Sequence, residues 1–540
     1  MKLNIFKNIA PVALAALVGF SSTSCLNDLD QSIKDPQTNT ELDVTGLLAK
    51  IYGSLHLTGQ TGGAGNPDMS QFDEGNSAFY RRIFEANELC SDECIWTWQG
   101  DAGIPELTNI SWNSSHGYNE LTYYRLMYNV TLCNFYLEET SGTHDAQVLQ
   151  NRAEVRFVRA LMNFHFIDLY GKAHYKTVVD ETLPVEKSRT EMFDIVESEL
   201  LSIIEDGNAE HLADYNGDDA NYGRADKVAA KMLLARLYLN AEVYTGTQQW
   251  AKAKQYADEV ISSKYKLNTT PLNGFSAYEQ LFMGDNGENP NARQEIIFPI
   301  RCDGATSRSY GGSIYPIASC TGDGTPDQGL PSSMWTCNRA RQMLINKFTL
   351  VGSTFSKKNY STHDFAEAAG DDRALFFVNE ARTYETEEKT TFTSGFAILK
   401  WSNNYAQGGT PSDVTFPDTD VPYMRVAEAY LTRAEANYRL GDLEAAKADL
   451  NVLRARAHAE LYTQSITSFD IIDEWGREFY MEGRRRSDLV RFNAFTGGRY
   501  IWDWKGGIYN GTGVESFYDI YPIPYAETSA NENMHQNPGY

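Results

Sequence analysis

The sequence predicts a mostly α-helical protein. Three observations carry that prediction: apolar residues recur four apart in several long segments, two further segments read as helix–turn–helix pairs, and the one segment read as a strand is short. In "DVTGLLAKIYGSLHL", Leu47, Ile51 and Leu55 form one helical stripe. In "YNELTYYRLMYNVTLCNFYLEE" the predicted stripe is Leu121, Tyr124, Tyr128 and Leu132. "NRAEVRFVRALMNFHFIDLYG" puts Phe157, Leu161, Phe164 and Ile167 on one face, and Gly171 stops that helix.

Paired helices follow. "ADKVAAKMLLARLYLNAEVYTGTQQWAKAKQYADEVISS" reads as a long helix, a Thr-Gly-Thr turn and a second helix starting near Trp250. "RVAEAYLTRAEANYRLGDLEAAKADLNVLRARA" repeats the plan across Leu440-Gly441-Asp442. Small residues, Ala253 and Ala257 in one pair and Ala445 and Ala448 in the other, are expected where the helices cross closely. This is the logic of a tetratricopeptide repeat, here as scattered units without a regular period. Between the pairs, from roughly 268 to 420, the chain turns irregular: "GDNGENPNARQ", "DGATSRSYGGS" and "TGDGTPDQGLPSS" are turn-rich and "EIIFPIR" reads as a short strand. An insert this long in a compact domain is functional or disordered. Its rings, Tyr310, Tyr315 and Trp335, argue against disorder.

The 540 residues, 42% hydrophobic and 22% charged, are ample for one large core or two smaller ones. A formal net charge of −25 repels phosphate backbones and argues against nucleic-acid binding. The first residues, "MKLNIFKNIAPVALAALVGFSSTSC", have Lys2 and Lys7, an apolar run from Ile9 to Phe20, then small residues ending at Cys25. This is a signal peptide, too short and wrongly flanked for a span. The cysteine behind Ser22-Thr23-Ser24 marks a bacterial lipoprotein signal: residues 1–24 are removed and Cys25 carries acyl chains such as palmitate, each buried CH₂ worth ~0.8 kcal/mol. Plain secretion with an incidental cysteine is the alternative. Cys90, Cys94, Cys133, Cys302, Cys320 and Cys337 are too sparse for a disulfide scaffold and are expected as buried thiols or one local bridge.

The stretch "NELCSDECIWTWQGDAGIPELTNISW" poses the functional question, because Trp96, Trp98 and Trp112 stand among loop-forming residues. Packing in the core and stacking on a ligand such as a sugar are both open to them. Pyranose C–H faces lie flat on aromatic rings, and the hydroxyl rim wants forked hydrogen-bond partners. Trp96 and Trp98 share a side if locally extended, with Arg81 upstream and Asp101 three residues past Trp98.

"IIDEWGREFYMEGRRRSDLVRFNAFTG" resembles the carboxy-terminal signature of the SusD/RagB outer-membrane nutrient-binding lipoproteins. "VPYMRVAEAYLTRAEANYRLGD", "FPDTDVP" and "CLNDLDQ" after the anchor cysteine fit it too, so the resemblance spans nearly the whole mature chain. It implies a SusD-like fold over residues 25–540, with tetratricopeptide-like helix pairs and a loop-rich subregion carrying the ligand site. It also implies a surface α-glucan binder that works as a lid on a SusC-like TonB-dependent transporter, needs no cofactor and does no chemistry. The site residues it implies are Trp98, Tyr310 and Trp335 as an aromatic arc and Arg81 as donor to vicinal hydroxyls; Asp101 stands where the family's starch binder has asparagine, and Trp96 joins the candidate set. As an aspartate, Asp101 accepts from hydroxyls and is placed to pair with Arg81. Dextran-like glucans remain an alternative ligand.

In the signature itself, Ile471, Trp475 and Phe479 form a buried stripe, while Glu474, Arg477, Glu478 and Glu482 invite ion pairs on other faces. "GRRRSDL" reads as bracing for carboxylates, with an anion patch as the alternative. Asp285 with Glu288, and Asp418 with Asp420, are candidate oxygen ligands for a structural Ca²⁺, with solvated loops as the alternative. The rival class, a secreted glycoside hydrolase, needs two carboxylates at a set separation. No G-x-S-x-G, H-E-x-x-H or P-loop pattern supports an enzyme, and the nine histidines form no triad-like group. A peptide-binding helical scaffold, the third class, leaves the loop tryptophans unexplained.

Overall fold

The computed structural model describes residues 43–60, 62, 63, 67–69 and 75–540. Cys25, the expected lipidation residue, and the expected leader lie outside the described residues. The chain divides into two compact units, Met1–Gly46 and Leu47–Tyr540. In the first, Asp43 Oδ1 accepts from the Gly46 amide at 2.8 Å. Among the described residues the second is built from helices, with four two-stranded antiparallel sheets interspersed.

Helix Val44–Gly53 carries Ile51, and Leu55 follows it, both buried as the stripe requires. Helix Gly117–Glu139 turns a different face inward from the predicted one. Leu121, Arg125, Leu126, Asn129, Val130 and Cys133 are buried, whereas Tyr124, Tyr128 and Leu132 are half-buried. Apolarity alone misplaced the stripe, because this interior also accepts polar side chains: Arg125 donates to the Ser77 hydroxyl at 3.0 Å and pairs with Asp68 at 3.3 Å. Helix Ala146–Leu169 is buried on nearly all sides along its second half. It ends where Gly171 turns to φ +68 and its amide bonds the Phe166 carbonyl at 3.1 Å.

Both helix pairs form. Lys227–Leu239 and Trp250–Ile261 pack together with Ala253 and Ala257 fully buried. A short helix, Ala241–Thr245, stands between them and ends on Gly246 at φ +73. Val426–Arg439 and Leu443–Arg456 join at Gly441, φ +90, and Asp442 caps the second helix through the Ala445 amide at 3.1 Å. Here the crossing alanine is Ala446, fully buried; Ala445 is half-buried and Ala448 exposed. The predicted pair was out of phase by about one residue because alanine crowds that segment and leaves the face ambiguous.

"EIIFPIR" forms the strand Ile296–Ile300, paired with Val421–Arg425, so a strand within the irregular insert is hydrogen-bonded to the segment that follows it. The segment read as loop around residues 87–112 is more ordered than expected. It contains the strand Cys94–Trp96 and the helix Ile104–Asn109, and Trp112 is core, its indole N–H bonded to the Tyr540 hydroxyl at 2.9 Å.

Helix Ser468–Phe479 buries Ile471, Trp475 and Phe479 as predicted, and Glu474 and Glu478 are buried with them. Glu478 meets Arg373 (3.1 Å), Arg425 (2.6 Å) and Arg456; Glu474 meets Arg373 (2.8 Å), Arg454 (2.9 Å) and Arg477 (2.8 Å). The basic run braces carboxylates: Arg484 pairs with Glu428 (2.9 Å), Arg485 with Asp92 (2.7 Å) and Arg486 with Asp168 (3.4 Å). The six cysteines after Cys25 are buried free thiols with no local bridge, and burial pushes Cys90, Cys133, Cys302 and Cys320 to about 12. A soluble form of residues 26–540 is therefore expected to leave a thiol-titrating disulfide reagent unconsumed while native and to consume six equivalents once denatured. Rapid labelling of the folded protein would contradict the buried placement.

Candidate functional site

A two-strand ladder brings distant loops together. Cys94–Trp96 pairs with Asn338–Ala340, Trp96 facing Asn338, and the Thr97 amide extends the ladder to the Cys337 carbonyl at 2.7 Å. Trp98 leaves one strand and Trp335 precedes the other, so both emerge at the same end. The amides of Trp335 and Thr336 bond the carbonyls of Ala318 (2.8 Å) and Thr321 (2.9 Å). These tie the segment to helix Ile314–Cys320, which carries Tyr315.

The rings form a continuous row. Trp98 stands edge-on to Trp96 (6.0 Å, 90°), and Trp96 stacks on Tyr315 (5.5 Å, 11°). Tyr315 contacts Trp335 (6.3 Å), Trp335 contacts Tyr310 (6.3 Å, 40°), and Tyr310 contacts Phe416 (5.0 Å). Burial separates their roles. Trp98 is 41% exposed, Trp335, Tyr310 and Phe416 are half-buried, and Trp96 and Tyr315 are buried behind them. Trp96 thus lies behind the row rather than facing solvent. Tyr310 is seated where the backbone comes close: a Cβ on Gly75, at φ +76, would lie 2.3 Å from the Tyr310 Cβ, and one on Gly311 would lie 2.0 Å from Ala78 Cβ.

Arg81, on helix Phe79–Glu88, lies with its guanidinium 4.6 Å from the Tyr315 ring centroid. Its Nε donates to Glu85 Oε1 at 2.8 Å, one helical turn away. The other Glu85 oxygen takes Arg82. Burial opposes a charge on Glu85, but Arg82 and Arg81 outweigh it and hold the carboxyl below its ordinary range. The expected Arg81–Asp101 pair does not form, because Glu85 takes Arg81 instead. Asp101 is exposed, and its amide closes a turn onto the Trp98 carbonyl at 3.1 Å, which keeps the two residues adjacent. Of the predicted set, Trp98, Tyr310, Trp335 and Arg81 gather along one row, with Asp101 beside Trp98 and Trp96 beneath it. Phe416 and the backing role of Tyr315 were missed. The Arg81–Glu85 spacing of four was visible in the sequence, but nothing there tied Phe416 to Tyr310, more than a hundred residues away.

The acidic clusters are occupied by the protein itself. Asp285 accepts from the amides of Ala406 (2.8 Å) and Gln407 (2.9 Å). Asp418 accepts from the amides of Gly304 (3.0 Å) and Ser412 (2.8 Å) and from the Tyr405 hydroxyl (2.7 Å). Asp420 accepts from the Cys302 amide at 2.8 Å; burial pushes it up to about 7, with Arg301 opposing. Glu288 is exposed, 4.0 Å from Arg301. Among the described residues no group of three or more His, Cys, Asp or Glu is placed to hold a metal ion. The calcium expectation gives way to loop bracing by backbone amides.

Fold and site together define a helical scaffold protein that presents a row of aromatic rings on loops. The SusD family profile matches residues 354–540. Over the full length of both chains the protein is 45% identical to Starch-binding protein SusD of Bacteroides thetaiotaomicron. It is 23% identical to SusD-like protein P25 of Formosa agariphila over 77% of this chain and 78% of that one. Among solved structures it resembles Surface glycan-binding protein A from Bacteroides fluxus, with TM-score 0.65 and 19% identity over 93% of this chain and 100% of that one. A SusD-like protein from Bacteroides fragilis gives TM-score 0.65 and 18% identity over 92% and 96%. The chain belongs to the SusD family.

Proposed function

We propose that this protein captures starch or a related α-glucan at the cell surface and delivers it, chemically unchanged, to a SusC-like TonB-dependent outer-membrane transporter. In this reading residues 1–24 are a leader and Cys25 anchors the chain by its lipid. The observation that carries the proposal is the row of solvent-facing rings at Trp98, Trp335 and Tyr310, backed by the buried Trp96–Tyr315 stack and flanked by Arg81. Stacked rings supply apolar faces for pyranoses, and a guanidinium fork suits neighbouring hydroxyls. The full-length relative is named for binding starch. Glu85, the carboxylate paired with Arg81, is a poor general acid, since that role needs a raised pKa and its two arginines lower it.

A soluble form of residues 26–540 is expected to be retarded in native gels containing starch or amylopectin and to release no reducing ends. Free migration through both would sink the starch assignment, and hydrolysis would favour an enzyme. A panel of starch, pullulan, dextran and β-glucans ranks the linkages, with dextran the alternative ligand.

A further inference from the structure

The aromatic row does not end at Tyr310. Phe416 continues it at 5.0 Å, half-buried, on a loop that comes from a different part of the chain from the other rings. That loop is held in place: Asp413 Oδ1 accepts from the amides of Thr415 (2.8 Å) and Phe416 (3.1 Å). Arg308 stands beside the ring, its guanidinium 5.9 Å from the Phe416 centroid. Its Nε donates to the Gly304 carbonyl at 3.0 Å and its Nη2 to Asp413 at 2.9 Å, yet the side chain is half exposed. The pairing repeats one farther along the row, where Arg81 lies over Tyr315 with Glu85 fixing its Nε. In both places an arginine is oriented by an acceptor and set beside an aromatic ring.

We propose that Phe416 and Arg308 form an additional glycan subsite, which extends the binding row beyond Tyr310 and takes a further glucosyl unit of the same α-glucan chain. The inference rests on the α-glucan reading and deepens it, because it assigns the protein a preference for longer chains. The Phe416 ring supplies a flat face for the pyranose C–H surface, and the exposed guanidinium edge donates to its hydroxyls. An oligosaccharide too short to reach past Tyr310 gains nothing from either group.

The test is calorimetric titration of a maltooligosaccharide series, from three to seven or more glucosyl units, into the soluble wild type, Phe416→Ala, Arg308→Ala and Phe416→Tyr. The expected result is affinity that rises with length in the wild type and a rise that flattens in Phe416→Ala, with about fivefold weaker binding of the longest chains, the size of one lost ring contact. The shortest chains bind unchanged. Arg308→Ala shows the same length-selective loss without touching a ring, and Phe416→Tyr restores the rise. Equal weakening at every length would mean that Phe416 only props Tyr310, and unchanged binding at every length would mean that no sugar reaches it; either overturns the subsite. Failure of the wild type to bind any member overturns the α-glucan reading itself, a result distinct from both.

Discussion

Trp98→Ala is expected to remove most retardation in starch gels and to weaken oligosaccharide binding about five- to tenfold, while leaving thermal stability close to that of the wild type. The two effects separate because of where the ring stands. Trp98 is 41% exposed and meets the buried Trp96 ring edge-on. Its loss leaves no cavity in the core, so the cost terms for buried truncations do not apply. A sugar stacked on it would lose one ring face, worth about 1 kcal/mol. In a gel each polymer strand offers many sites, so retardation depends steeply on the affinity of each. Trp96→Ala should behave differently. That ring is buried and stacked on Tyr315, and its removal should lower stability as well as binding. Retardation unchanged in Trp98→Ala would place the site elsewhere.

Glu478→Gln is expected to produce the largest loss of stability, about 3–5 kcal/mol, as for one partner removed from a buried ion-pair network. Glu478 is fully buried and faces Arg373, Arg425 and Arg456; Arg425 and Arg456 are also shared with Glu295 at 3.4 Å. Burial disfavours its charge, and the three arginines, Arg456 foremost, hold it far below the ordinary carboxylate range. Neutralising it strands guanidinium charge in the interior, a large fraction of the roughly 5–15 kcal/mol that keeps a domain folded. Denaturant melts measure it; a midpoint equal to that of the wild type would contradict the network's role. The same network fixes an acid dependence. Glu474 is opposed by burial but held to about 2 by Arg373, Arg477 and Arg454. Its folded pKa lies below the unfolded value of about 4.3, so its contribution is complete above that value and is lost as pH falls through about 2. Stability should therefore decline with acid below about pH 4, and less steeply in Glu474→Gln.

What could be read in advance followed from local periodicity. The helix pairs, the Gly441 turn, the start near Trp250 and the Ile471–Trp475–Phe479 stripe all express three-to-four-residue spacing, which one segment can display by itself. The face of helix Gly117–Glu139 was misjudged because its interior side holds Arg125 and Asn129, whose partners lie elsewhere in the sequence. The depth of the Glu474 and Glu478 pairs was hidden for the same reason: their arginines at 373, 425, 454 and 456 meet them only in the folded chain. At the site, Trp98, Tyr310 and Trp335 were named from loop composition and family resemblance. The antiparallel ladder of Cys94–Trp96 with Asn338–Ala340 brings two of those loops together, and its partners are more than two hundred residues apart. Composition also could not tell the exposed ring Trp98 from the buried ring Trp96 two residues earlier, because Trp96 ends a short strand and Trp98 lies just beyond it.

In the proposed function the rings of Trp98, Trp335 and Tyr310 cradle a sugar chain. A crystal structure of residues 26–540 with maltoheptaose tests it most directly. Pyranose faces are expected to lie on Trp98, Trp335 and Tyr310, with Arg81 Nη groups within hydrogen-bond reach of sugar hydroxyls. Ordered sugar on another surface, with these rings left bare at saturating ligand, would contradict it.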